Sequence, residues 1–229
     1  MTWKILVPGI PAYTNLGFLG FCNIVLIESD GRYGIYDPGH FGNKEYLLNS
    51  LKNNGLSTSD IEFVILSHLH YDHSLNSLIF SKAKIYVSKR EVEYTQNTPD
   101  LYSAQYLPTL LNDRLIKVEE GDTLYGLKFI LLPGHTAGTL GVIDNDTMLV
   151  GDAIKYVSDA KKRETSFAYY SLSAANQSIT KALKMAKIIV PGHDIPFKVS
   201  ESKIEELPNF MYDFIIFIKN DIKISILKT

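Results

Sequence analysis

The chain has 229 residues, of which 45% are hydrophobic and 21% charged, with a formal net charge of −2. That composition can bury one sizeable core, and it offers no overall basic footprint for nucleic acid or an anionic membrane. A single cysteine, Cys22, excludes an intrachain disulfide and a thiolate zinc site.

The start of the chain is a short apolar segment broken at once by Pro8, Gly9 and Pro11, so neither a signal peptide nor a membrane span is expected and a cytoplasmic protein is. Residues 11–21 are apolar and glycine-rich, fitting either a buried hairpin or a flap. Residues 23–28 and 33–37 are β-branched or aromatic runs around Ser29-Asp30-Gly31, a hairpin signal. Residues 43–54 carry helical spacing through Leu47, Leu48 and Leu51, with Gly55 as the stop. Residues 63–66 form a short buried strand, a helix starts near Asp72, and 84–87 is another strand. Ser88 and Glu91 are spaced as a capping box for the next helix.

Residues 96–114 read as a loop or irregular helix. Residues 127–132, 140–143 and 147–150 are strands, 173–186 a helix, and 188–190 a strand. Hairpins mixed with strand–helix units imply sheets packed face to face with helices outside, an α/β (α+β) arrangement. One domain is expected over residues 1–207. The tail, 208–229, ends in the period-two run Ile222-Lys223-Ile224-Ser225-Ile226, a strand edge suited to pairing with a second copy of the chain.

Five of the six histidines follow apolar strands. His68-Leu69-His70-Tyr71-Asp72-His73 comes just after 63–66. His68 and His70 are two apart, so on an extended chain they point to one side. His135 follows 127–132 within Pro133-Gly134-His135, Asp152 follows 147–150, and His193 follows 188–190 within Pro191-Gly192-His193. A glycine sits beside each of these last three, where it lets the backbone approach closely. Histidine and carboxylate without thiolate suits Zn²⁺, and also Fe or Mn. Seven such groups exceed one tetrahedral ion and suit two.

With these motifs the sequence resembles the metallo-β-lactamase superfamily, from Asp37-Pro38-Gly39 to Pro191-Gly192-His193. The resemblance implies a four-layer αβ/βα sandwich with the site at one edge. It implies that His68, His70 and His135 hold a first metal, that Asp72, His73 and His193 hold a second, and that Asp152 bridges them. Asp37 would orient ligands. The short single-domain hydrolases, acyl-homoserine lactonases among them, carry a tyrosine soon after the bridging aspartate, and Tyr156 lies close to that place. The implied catalytic set is Asp72, Asp152, Asp37 and Tyr156. The implied activity is attack by a hydroxide bridging two divalent ions on a small lactone, thioester or related ester or amide. Phosphodiester or RNA cleavage on the same metals, and oxidation at one iron as in sulfur dioxygenases, are the alternatives.

Outside this set, His40 can line the pocket or stand behind the ligands, or simply occupy a surface turn. Lys155, Lys161, Lys162 and Arg163 can hold a substrate anion or simply face water. Tyr169 and Tyr170 fit the core or the pocket. The expected partner is a small molecule.

Overall fold

The computed structural model describes residues 1–10, 12–15, 17–18, 20–201 and 203–210. The chain opens with strand β1 (Thr2–Val7), and a small hairpin of β2 (Tyr13–Thr14) and β3 (Gly17–Phe18) follows. Then come β4 (Ile24–Ser29), β5 (Arg32–Tyr36), helix α1 (Lys44–Asn53), β6 (Ile61–Ile65), the one-turn helix α2 (Tyr71–Ser74) and β7 (Lys84–Ser88). Helices α3 (Lys89–Asn97) and α4 (Leu107–Leu111) lead to β8 (Leu115–Val118).

The second half holds β9 (Thr123–Leu124), β10 (Leu127–Leu131), β11 (Leu140–Asp144), β12 (Thr147–Gly151), α5 (Val157–Lys162), α6 (Leu172–Met185) and β13 (Ile188–Pro191). It ends with the hairpin of β14 (Phe197–Ser200) and β15 (Lys203–Glu206).

Two sheets result, ordered β1-β4-β5-β6-β7-β8 and β15-β14-β13-β12-β11-β10-β9. The alternation of strand side chains sorts the apolar residues into three layers of packing. Ile24, Leu26, Ile35 and Val64 face Leu47 and Leu51 of α1. Val25, Ile27, Phe63 and Ile65 point the other way and meet Leu127, Phe129, Val142 and Leu149 of the second sheet. Ile130, Met148 and Val150 leave that sheet on its far side to pack on Ile179 and Ala182 of α6. The stack is helix, sheet, sheet, helix, as the strand–helix pattern implied.

Local chemistry sets the boundaries. The β4–β5 turn has Asp30 at φ 52° and Gly31 at φ 70°, the two positive values that a tight two-residue hairpin demands. Helix α1 stops at Gly55: the Gly55 N–H donates to Lys52 O and the Leu56 N–H to Leu51 O. This is the paired bonding of a left-handed glycine stop, and Leu56 packs in the same cluster as Leu51.

Two features differ from the sequence reading. Strands β1, β8, β9, β14 and β15 are not legible as strands in the sequence. The Ser88 hydroxyl caps α3 by accepting from Glu91 N at 3.0 Å, but the Glu91 carboxylate turns into the molecule rather than back to Ser88, so the capping box is only half formed. Of the tail, Pro208–Phe210 is a short turn with Phe210 stacked on Trp3 at 5.2 Å. The alternating segment 222–226 and the dimer contact expected from it lie outside the described residues. No helix among the described residues is long and apolar enough to cross a membrane.

Candidate metal centre

Strand direction gathers the site. β5 and β6 run parallel in the first sheet, and β12 and β13 run parallel in the second. β10 is antiparallel to β11, which is antiparallel to β12, so β10, β12 and β13 share one direction. The segments leaving the ends of these five strands carry Asp37, His68 to His73, His135, Asp152 and His193. The two sheets are pinned together at this rim: Leu140 N donates to Ser67 O at 2.7 Å, and the Tyr36 hydroxyl donates to Leu140 O at 2.8 Å.

All seven expected ligands are buried and their donor atoms fall into overlapping groups. His68, His70 and His135 form one, Asp72, His73 and His193 a second, and His68, His73 and Asp152 a third that joins them. The Asp152 carboxylate spans the groups. Its Oδ1 lies 3.3 Å from both His73 Nε2 and His193 Nε2, and its Oδ2 lies 3.4 Å from His135 Nε2. Asp72 Oδ2 is 3.4 Å from His193 Nε2.

The outward nitrogens are already committed. His70 Nε2 meets Asp100 Oδ2 at 2.7 Å, His73 Nδ1 meets Asp37 Oδ2 at 2.9 Å, and His193 Nδ1 meets Phe21 O at 2.7 Å. These partners only accept, so the proton sits on the outward nitrogen and a lone pair points inward. Inside, His70 Nδ1 and His135 Nε2 face each other at 3.1 Å, as do His73 Nε2 and His193 Nε2. The inward His68 Nε2 is buried with no hydrogen-bond partner.

The facing lone pairs of His70 and His135 and the orphaned His68 Nε2 repel or go unsatisfied unless a cation stands among them. Donors around a tetrahedral ion held at about 2.0–2.1 Å would be about 3.3 Å apart, close to the 3.1–3.4 Å found here. The residues therefore fit divalent ions.

The electrostatics agree. Burial pushes His68, His135 and His193 below the usual histidine range, which keeps their lone pairs free. Burial alone would raise the Asp152 carboxyl, but Lys155 and the histidines hold it well below the usual carboxylate range. Burial also works against a proton on His73, yet Asp152, Asp72 and Asp37 together hold one there well above the usual histidine range. A bound cation would take that proton's place.

The chain is similar to known proteins along this same stretch. A family model described as the metallo-beta-lactamase superfamily matches residues 17–193. The chain belongs to the metallo-β-lactamase superfamily. A probable metallo-hydrolase of Methanocaldococcus jannaschii is 30% identical over 148 residues, covering 65% of this chain and 64% of that protein. An N-acyl homoserine lactonase of a Bacillus species is 29% identical over 163 residues, covering 66% and 63%. The chain thus spans just under two thirds of the length of these relatives. Among solved structures, a dizinc quorum-quenching lactonase in complex with a product superposes with a TM-score of 0.69 at 25% identity, covering 84% of this chain and 80% of that one.

Above the metallo-β-lactamase-type centre lies a cleft of about 400 Å³ walled by the rings of Phe18, Tyr71, Tyr102, Tyr156, Phe167 and Tyr169. Tyr169 stands edge-on to the rings of His70 and His135. Lys155 reaches in over the Phe18 ring at 4.0 Å, with its ammonium 3.1 Å from Asp152 Oδ2. The side chain after Asp152 that turns to it is Lys155, one position before Tyr156, whose ring forms the adjoining wall. Lys161, Lys162 and Arg163 are exposed, so the basic run divides between cleft and water.

His40 stays outside the ligand groups. Its Nδ1 accepts from Gly42 N at 3.1 Å and its ring stacks on Phe21. Tyr170 is half exposed. Asp100 was missed by sequence reasoning because nothing in its turn-like setting, 30 residues from His70, advertises a contact. Asn23 was missed too. It receives Gly9 N at 2.7 Å and donates to Pro191 O at 2.8 Å and Asp194 O at 2.7 Å, and so fixes the loop of His193.

Proposed function

We propose that the chain is a hydrolase working with two divalent cations, for which Zn²⁺ is suited and Fe or Mn acceptable, and that it cleaves a small lactone, thioester or related ester or amide. The observation that carries this reading is the Asp152 carboxylate, with one oxygen toward each histidine group. In it, His68, His70 and His135 would hold one ion and Asp72, His73 and His193 the other, with Asp152 available to both. When bound, such ions supply Lewis acidity toward the scissile carbonyl and a water acidified to a pKa of about 7.

The chain's own groups supply the rest. Asp37 and Asp100 fix the tautomers of His73 and His70 through the bonds at 2.9 and 2.7 Å. The aromatic walls bury the apolar part of a substrate and exclude water. The Lys155 ammonium, in the cleft 3.1 Å from Asp152, would stabilise negative charge developing on a carbonyl oxygen bound there. Burial raises the Tyr156 and Tyr169 phenols, so both stay protonated and able to donate to that oxygen.

The test is turnover by metal-free protein reloaded with Zn²⁺, Mn²⁺ or Fe²⁺, on a panel of lactones, thioesters and phosphodiesters. Hydrolysis of lactones or thioesters supports the reading. Cleavage of phosphodiesters alone, or oxygen uptake with one iron per chain, overturns it in favour of a nuclease or a dioxygenase.

A further inference from the structure

Glu91 is fully buried, yet no cationic side chain among the described residues is paired with it. Its three partners are neutral donors. Oε1 accepts from the backbone N–H of Leu69 at 2.9 Å. Oε2 accepts from the Thr136 hydroxyl at 2.7 Å and from Gly138 N at 3.1 Å. Burying a carboxylate this way is costly, and an apolar residue would be the cheaper occupant of a purely structural place.

The identity of the donors gives the position its meaning. Leu69 is the residue between His68 and His70, and Thr136 follows His135. One oxygen therefore holds the loop carrying two of the three histidines of the first group, and the other oxygen holds the loop carrying the third. The carboxylate itself is fixed at the first turn of α3. Ser88 Oγ accepts from Glu91 N and donates to Gly138 O at 2.6 Å, and a Cβ on Gly138 would come within 2.1 Å of Glu91 N.

We propose that Glu91 is the positioning residue that sets the spacing of His68, His70 and His135, and so governs affinity for the first ion without touching it. The inference rests on the two-metal reading above. It assigns Glu91 to one group only. The second group has supports of its own, with Asn23 fixing the His193 loop and Asp37 Oδ2 fixing His73, while Asp37 Oδ1 also accepts from Ser67 N beside His68 at 2.7 Å.

The experiment is metal binding by purified chain, measured by equilibrium dialysis against Zn²⁺ with elemental analysis, beside thermal melts with and without metal. Two ions per wild-type chain is the starting condition; fewer than two defeats the two-metal reading itself, before Glu91 is tested. Glu91→Gln keeps the shape but sets an NH₂ against the donors of Thr136 and Gly138. It should weaken one of the two ions roughly 10–100-fold, as expected for groups that orient ligands, and leave the other unchanged. In an Asp72→Ala background, where the first group holds the remaining ion, the same change should weaken that ion. In a His135→Ala background it should add no further loss. Asn23→Ala should show the reverse selectivity.

Thr136→Val removes one of the three bonds to Glu91, along with the Thr136–Thr139 hydroxyl contact, and serves as the milder variant should Glu91→Gln fold poorly. It should weaken the same ion, and the rise in melting temperature on adding Zn²⁺ should shrink in both variants. Unchanged affinity for both ions overturns the proposal. So does equal weakening of both, or a fall in the melting temperature of the metal-free chain as large as that of the loaded one.

Discussion

A Cβ placed on Gly192 would lie 2.0 Å from Asp152 Oδ1. The loop that delivers His193 thus runs directly against the carboxylate that joins the two histidine groups, and only a residue without a side chain lets both occupy their places. Another ligand loop of the second sheet shows the same dependence: a Cβ on Gly134, at φ 146°, would come within 2.2 Å of the Ala175 backbone in α6.

Gly192→Ala should therefore push Asp152 aside. Displacement of a reacting group by about 1 Å costs roughly 100-fold in rate, so kcat/KM should fall by that order, with a loss of bound metal. Steady-state kinetics with elemental analysis checks this; wild-type metal content and rate in the variant would refute it.

Asp100→Asn replaces the anionic acceptor of His70 with a neutral one of the same shape. Metal affinity should drop roughly 10–100-fold, with little change in the melting temperature of the metal-free chain. Competition with a chromophoric chelator reads the affinity directly.

Lys155→Met keeps most of the side-chain length but removes the ammonium that lies over the Phe18 ring and beside Asp152. The expected result is a fall in kcat of about 100-fold, the usual scale for losing one donor to a developing oxyanion, with both ions retained. An unchanged kcat would remove Lys155 from the reaction.

Asp159 gives a pH prediction. Burial raises its carboxyl to about 6, above the ordinary value of 3.8. The folded chain binds that proton more tightly than the unfolded one, so ionising Asp159 costs stability, and the cost grows from pH near 4 until about 6 and then levels off. Asp159→Asn should thus raise the melting temperature at pH 7.5 and leave it nearly unchanged at pH 4. Differential scanning calorimetry at the two values decides; an equal shift at both would contradict the assignment.

Much of this site could be read in the chain because ligands fall where strand alternation ends. His68 and His70 follow Ile61–Ile65, Asp152 follows Thr147–Gly151, and His193 follows Ile188–Pro191, so apolar runs flagged each ligand, and glycines stood beside His135, Asp152 and His193. The groups behind the ligands were not legible. Asp100 and Asn23 act through loop and backbone contacts that no periodicity encodes. Glu91 carried a misleading signal, since its spacing from Ser88 is that of a helix cap while its carboxylate serves another part of the fold. Lys155 looked like one member of a solvated run because sequence cannot show that the chain turns between Lys155 and Lys161. Strand β1 is obscured in the sequence by the prolines that follow it, and β8, β9, β14 and β15 are short strands with few buried residues.

The central claim, two ions joined by Asp152 with the histidines divided between them, is tested most directly by metal stoichiometry. Elemental analysis of the Zn²⁺-loaded chain after dialysis should give two ions per wild-type chain, one in Asp72→Ala, and fewer than one in Asp152→Ala. Retention of two ions by Asp72→Ala, or a single ion in the wild-type chain, would contradict it.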